Sequence, residues 1–89
     1  MKAMKKLNKL PKWFNGTIYD TGEIVTNPFS GEEYKLTNLE LSMYDFIIGC
    51  NMVFATGSNR VNDEMIRDFE KGLDWFRKTN AKAYMVLLD

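Results

Sequence analysis

The triplet with the most chemical promise is Asp20-Thr21-Gly22. An aspartate set before Thr-Gly can supply one carboxylate of a dyad in which two acids share a proton. Other carboxylates are plentiful: Glu23, Glu32, Glu33, Asp63, Glu64, Asp68, Glu70 and Asp74. Glu64 with Asp68, and Glu70 with Asp74, fall at i, i+4 and could hold a hard cation on one helix face. The same spacing also describes a solvated acidic face, where like charges cost only about 0.2–0.5 kcal/mol. Cys50 is the sole thiol. It sits among apolar residues with no nearby base, so the expectation is a buried, inert thiol rather than a nucleophile. Asp45 is also flanked by apolar residues. If buried it needs a partner, such as a lysine, a tyrosine hydroxyl or a facing backbone group.

The chain has no histidine. That removes the commonest general base and the commonest zinc ligand, and with them every His-dependent triad and every His/Cys zinc site. No EF-hand loop and no phosphate-cradling glycine loop is present. Asp20-Thr21-Gly22, with Phe46-Ile47-Ile48-Gly49, resembles pieces of the dimeric retroviral aspartic proteases. The resemblance fails in three places. The catalytic aspartate of that family follows an apolar strand, whereas Asp20 follows Thr17-Ile18-Tyr19 and precedes the charged Glu23. That family is almost all β, whereas residues 39–79 carry a helical period. The gap from Asp20 to Ile47 is too short for the intervening hairpins. The triplet therefore reads as a hairpin turn. No catalytic residue, cofactor or metal ligand is assigned, and a non-enzymatic protein is expected.

Five lysines, Lys2, Lys5, Lys6, Lys9 and Lys12, occupy residues 1–12 without an acid. Residues 13–89 then hold seven basic against twelve acidic side chains, a net charge of minus five beneath a formal total of zero. The lysines could contact phosphates of a nucleic acid. No aromatic alternates with Lys2, Lys5 and Lys6, so the stacking platform of a single-strand binder is missing, and a solubilising arm is the simpler reading. An acidic body also argues against a dedicated nucleic-acid binder.

The elements that must position these groups follow from turn signals and periodicity. Residues 1–12 read as a basic, flexible arm ended by Pro11, with Leu7 and Leu10 able to dock one edge. Residues 13–89 read as one domain. Asn15-Gly16, Asp20-Thr21-Gly22 and Asn27-Pro28-Phe29-Ser30-Gly31 separate short β-rich runs at Thr17–Tyr19, Glu23–Thr26 and Glu32–Leu36, which suggests an antiparallel meander. Thr37-Asn38-Leu39-Glu40 fits a capping box. It opens a helix predicted to run to about Thr56. A second helix is predicted over roughly Asn62–Thr79, with Asp63 and Glu64 in its first turn and Arg77 and Lys78 in its last. Thr79-Asn80 interrupts the pattern, and Ala81–Leu88 reads as a short terminal helix. The fold class is α+β: a small N-terminal meander packed on two long helices plus a short C-terminal one.

The first long helix carries two apolar stripes. Leu39, Met43, Phe46, Ile47, Cys50, Val53 and Phe54 form one at helical period. Leu41, Tyr44, Ile48 and Met52 form the other. A helix with two greasy flanks is covered from two directions. A chain of 89 residues buries only a modest core. Leu41, Tyr44, Ile48 and Met52, with Trp75 lying off the centre of its own stripe, are therefore the candidate interface. A homo-oligomer is the expected assembly, with a further protein partner as an alternative.

Hydrophobic residues make up 45% of the chain and charged residues 27%, an ordinary globular mixture. A lone cysteine favours a reducing cytosol. No leader is evident, because no apolar stretch follows the basic N-terminus. The most apolar run, Leu39–Thr56, contains Glu40, Asp45 and Asn51, and a central Asp in a span would cost roughly 3 kcal/mol, so no membrane segment is expected.

Asn27-Pro28-Phe29-Ser30-Gly31, Tyr44-Asp45-Phe46-Ile47, Lys71-Gly72-Leu73-Asp74-Trp75-Phe76 and Ala83-Tyr84-Met85-Val86-Leu87-Leu88-Asp89 together resemble a group of small uncharacterised marine bacteriophage proteins, cyanophages among the sources. The resemblance covers most of residues 13–89. It implies a phage-encoded accessory protein in the host cytoplasm, and a host or phage protein as a partner. It assigns no catalytic residue.

Overall fold

The computed structural model describes residues 9–57, 59 and 61–88. Asn27 shapes the turn of the β-hairpin. Its side-chain Oδ1 accepts from the N–H groups of Phe29 at 2.8 Å and Ser30 at 3.3 Å. Gly31, at φ 79°, returns its N–H to the Asn27 carbonyl at 2.8 Å. That positive φ is the position a β-carbon would disfavour. The turn joins β1 (Glu23–Thr26) to β2 (Glu33–Leu36) in an antiparallel pair with Glu23 opposite Leu36 and Thr26 opposite Glu33. Leu36 is buried on one face, with Val25 and Tyr34 beside it against the core. Ile24 stands out on the other, 59% exposed.

Among the described residues three helices follow: α1 (Asn38–Thr56), α2 (Asp63–Thr79) and α3 (Ala81–Leu87). The α+β class and the helix boundaries match the sequence reading closely. The capping box forms as its spacing predicts. The Thr37 hydroxyl accepts from Glu40 N–H at 3.2 Å, and Glu40 Oε1 accepts from Thr37 N–H at 2.9 Å. Gly57 ends α1 in the left-handed region, at φ 66°. Asn62 caps α2 by accepting from Met65 N–H at 2.8 Å. Asn80 closes α2 through its N–H on the Phe76 carbonyl, and also opens α3 by accepting from Ala83 N–H.

Packing follows these caps. Met43 and Ile47 of α1 and Phe76 of α2 are fully buried, joined by Leu36, Ala83 and Leu87. Gly72 lets the two long helices approach: a β-carbon there would lie 3.1 Å from Met43 Sδ. The hairpin is tied to α3 by Asn27 Nδ2, which donates to the Val86 carbonyl at 2.9 Å.

The sheet is smaller than the meander expected. Thr17–Tyr19 is not a strand, and α1 takes both backbone groups of Tyr19. Tyr19 N–H donates to Ser42 Oγ at 2.9 Å, and the Tyr19 carbonyl accepts from Asn38 Nδ2 at 3.2 Å. Asp20-Thr21-Gly22 is accordingly an exposed bend into β1 rather than a hairpin turn. Gly22 passes hard against β2, where an added β-carbon would run into the Leu36 carbonyl oxygen. Gly22→Ala is expected to cost about 2 kcal/mol, the scale of overpacking against an unyielding backbone. Urea denaturation checks this, and an unchanged midpoint would contradict the close approach.

The N-terminal segment is part of this packing. Leu10, Trp13 and Phe14 pack against the core. Trp13 and Phe14 meet Phe46 with ring centroids 5.8 and 5.6 Å apart. Lys9 offers its carbonyl to Trp75 Nε1 at 3.3 Å. The arm expected over residues 1–12 is thus docked at Lys9 and Leu10, while residues 1–8 lie outside the described ones.

Candidate interaction surface

The two flanks of α1 meet different surroundings. The inward flank, Met43, Ile47 and Cys50, is buried. The opposite flank carries Leu41, Tyr44, Ile48 and Met52. Leu41, Tyr44 and Ile48 are half-buried, and Met52 is 65% exposed. Gly49, beside them, is open: a β-carbon there would meet nothing within 4 Å. The N-terminal half of this flank is partly roofed by β1. Between them runs a groove of about 370 Å³, lined by Tyr19, by all four residues of β1, and by Leu41, Tyr44 and Asp45. No residue of β2 lines it, which places the groove along the unpaired edge of β1. Among the described residues, β1 does not extend over the C-terminal half of the flank.

The polar end of the groove is fixed by one pair. Asp45 is exposed, and it accepts a hydrogen bond from the Tyr19 hydroxyl. Partial burial of the phenol, then the Asp45 charge and this hydrogen bond, raise the Tyr19 pKa above the ordinary tyrosine value. Tyr44 is raised by burial alone. Both phenols stay neutral at physiological pH and keep a proton to donate. The sequence required a partner for Asp45 only if it were buried; it is exposed, and the Tyr19 hydroxyl is nonetheless bonded to it.

Trp75 is a correction. It is 7% exposed and enclosed in the core, with its Nε1–H spent on the Lys9 carbonyl. The N-terminal segment folds over the side of α2 that carries it, so Trp75 forms no part of the outer surface. Ile24 and Tyr19 belong to the groove and were not singled out from the sequence. The only signal was the edge position of a β-rich run that ends beside an apolar helix.

The remaining candidates are dispersed. Lys9 and Lys12 are exposed, while Lys2, Lys5 and Lys6 lie outside the described residues. Asp74 is engaged by Arg77 at 3.0 Å and Lys78 at 2.9 Å, and those hydrogen bonds hold its carboxyl below the usual range. Cys50 is buried, and burial followed by the nearby Asp68 charge pushes its thiol up, away from the reactive thiolate. Among the described residues no three His, Cys, Asp or Glu side chains gather as metal ligands would. Among them, too, no helix is long and apolar enough to cross a membrane. A second hollow of about 510 Å³ opens at the α1–α2 turn, lined by Phe54, Gly57, Val61, Ile66, Phe69 and Glu70.

No protein-family model, curated protein or solved structure matches the chain.

Proposed function

We propose that the protein is a non-enzymatic interaction protein that associates with itself through the outer flank of α1. One observation carries the reading: the apolar flank of α1 starts at Leu41 and Tyr44, half-buried on the rim of the core, and runs outward to Ile48, half-buried, and Met52, 65% exposed, neither of which packs against the core. Fully burying a side chain such as Ile48 or Met52 is worth about 1.5–3 kcal/mol, so a few of them can drive association. A two-fold contact on this flank would place like residues of two copies together, the usual self-complementary arrangement of a dimer. An accessory role of this kind is what the resemblance to small marine bacteriophage proteins implies.

Sedimentation velocity between about 1 and 100 μM tests it, a range suited to a micromolar Kd. A reversible dimer is expected. Ile48→Glu should leave it monomeric, because a half-exposed site accepts the charge in a single chain and a closed interface does not. A monomer at every concentration, or an Ile48→Glu dimer of unchanged affinity, overturns the proposal.

A further inference from the structure

We infer that β1 pairs antiparallel with β1 of a second copy, joining two hairpins into one four-stranded sheet above the α1 flanks. This rests on the self-association proposed above and specifies how it is made.

The backbone is ready for it. Asn27 and Glu32 are directly opposed, and Asn27 N–H donates to the Glu32 carbonyl at 2.8 Å. Hydrogen-bonded and non-hydrogen-bonded pairs alternate in an antiparallel ladder. Val25 and Glu23 therefore turn their N–H and C=O inward to β2, and Ile24 and Thr26 turn theirs outward. β1 contains no proline, no lysine and no bulge that would block pairing at that edge. A two-stranded sheet is marginal by itself, and doubling it to four strands relieves that weakness.

The edge is self-complementary. A two-fold axis at Val25 sets Ile24 opposite Thr26 of the second copy, and Thr26 opposite its Ile24, for four N–H···O=C bonds. Glu23 then faces Asn27 of the second copy, so no like charges oppose each other. On the outer face the cross-strand row runs Lys35, Ile24, then Thr26 and Glu33 of the second copy, with opposite charges at its two ends and the exposed Ile24 inside. A register centred on Ile24 would draw in Gly22, whose backbone is already jammed against Leu36. In the Val25 register the hairpin tip of the second copy comes alongside Thr21, at the Tyr19 end of the groove. That tip carries Phe29, 96% exposed.

Amide hydrogen exchange followed by NMR at low and high protein concentration tests the pairing. The Ile24 and Thr26 amides should be protected about tenfold or more in the concentrated sample, and unprotected in the dilute one. Val25, bonded within the hairpin, is the internal reference and should be protected in both. Ile24→Pro removes an outward donor without touching the hairpin's own ladder, and should raise the dimer Kd about tenfold or more. A dimer whose Ile24 and Thr26 amides stay unprotected overturns the strand pairing and leaves the α1 proposal standing. Protection independent of concentration means the edge is covered within one chain, which overturns the pairing too. A monomer throughout overturns both. If Ile24→Pro fails to fold, exchange in the unaltered protein decides.

Discussion

Replacing Phe76 with alanine is expected to remove about 4 kcal/mol of folding stability. Phe76 is wholly buried at the meeting of all three helices, with its ring 6.4 Å from that of Tyr44. An 89-residue chain has roughly 4–13 kcal/mol in total. The variant should therefore lose a third of its stability or more, and is expected to be partly unfolded at 37 °C if the total lies at the lower end. The cost has two sources: lost apolar burial, and a cavity that Met43 and Ile47 cannot close because they are themselves fully buried. Phe76→Leu keeps most of the volume and should cost about 1–1.5 kcal/mol. Urea denaturation followed by circular dichroism measures both. A loss below about 1 kcal/mol for Phe76→Ala would mean this ring is not the centre of the core.

The second large effect is expected at Glu40, a carboxylate only 2% exposed. Its Oε1 accepts from Thr37 N–H, and its Oε2 accepts from Asn80 Nδ2 at 3.1 Å. One side chain thus clasps the start of α1 to the junction of α2 and α3. Glu40→Ala deletes both acceptors and leaves two donors in a nearly dry site. About 3 kcal/mol should be lost, since hydrogen bonds to a charged group contribute about 1.5–3 kcal/mol each. A cap alone is worth about 1 kcal/mol, so Thr37→Ala should be milder. A double-mutant cycle of Glu40→Ala with Asn80→Ala isolates the tertiary half. A coupling of about 1–2 kcal/mol is expected. No coupling, with Glu40→Ala no worse than Thr37→Ala, would show that the clasp adds nothing beyond the cap.

These two residues show what local sequence conveys and what it omits. Thr37-Asn38-Leu39-Glu40 announces its capping box because donor and acceptor lie three residues apart. The caps Gly57 and Asn62, and the charges at both ends of α2, are local in the same sense. The reach of Glu40 to Asn80 spans forty positions, and no short-range pattern encodes it. Thr17-Ile18-Tyr19 has β-favouring side chains, yet the backbone of Tyr19 is claimed by Asn38 and Ser42, whose positions exist only once α1 has formed. Trp75 was misplaced for a related reason. Its helical position lies off the main stripe, and only the docking of Leu10, Trp13 and Phe14 turns that side into interior. The candidate surface was legible where it depends on helical period, at Leu41, Tyr44, Ile48 and Met52. It was not legible at Tyr19 and Ile24, which reach it through tertiary placement of an edge strand.

Asn80 has a mechanical consequence. It serves α2 and α3 at once, so the two helices are joined at an elbow with no slack. Swinging α3 would mean surrendering a cap at one end or the other, and Asn27 roots the far side of that short helix to the hairpin. A tug on the loop at Phe29 would therefore be felt along the lever of α2, rather than absorbed at a compliant joint.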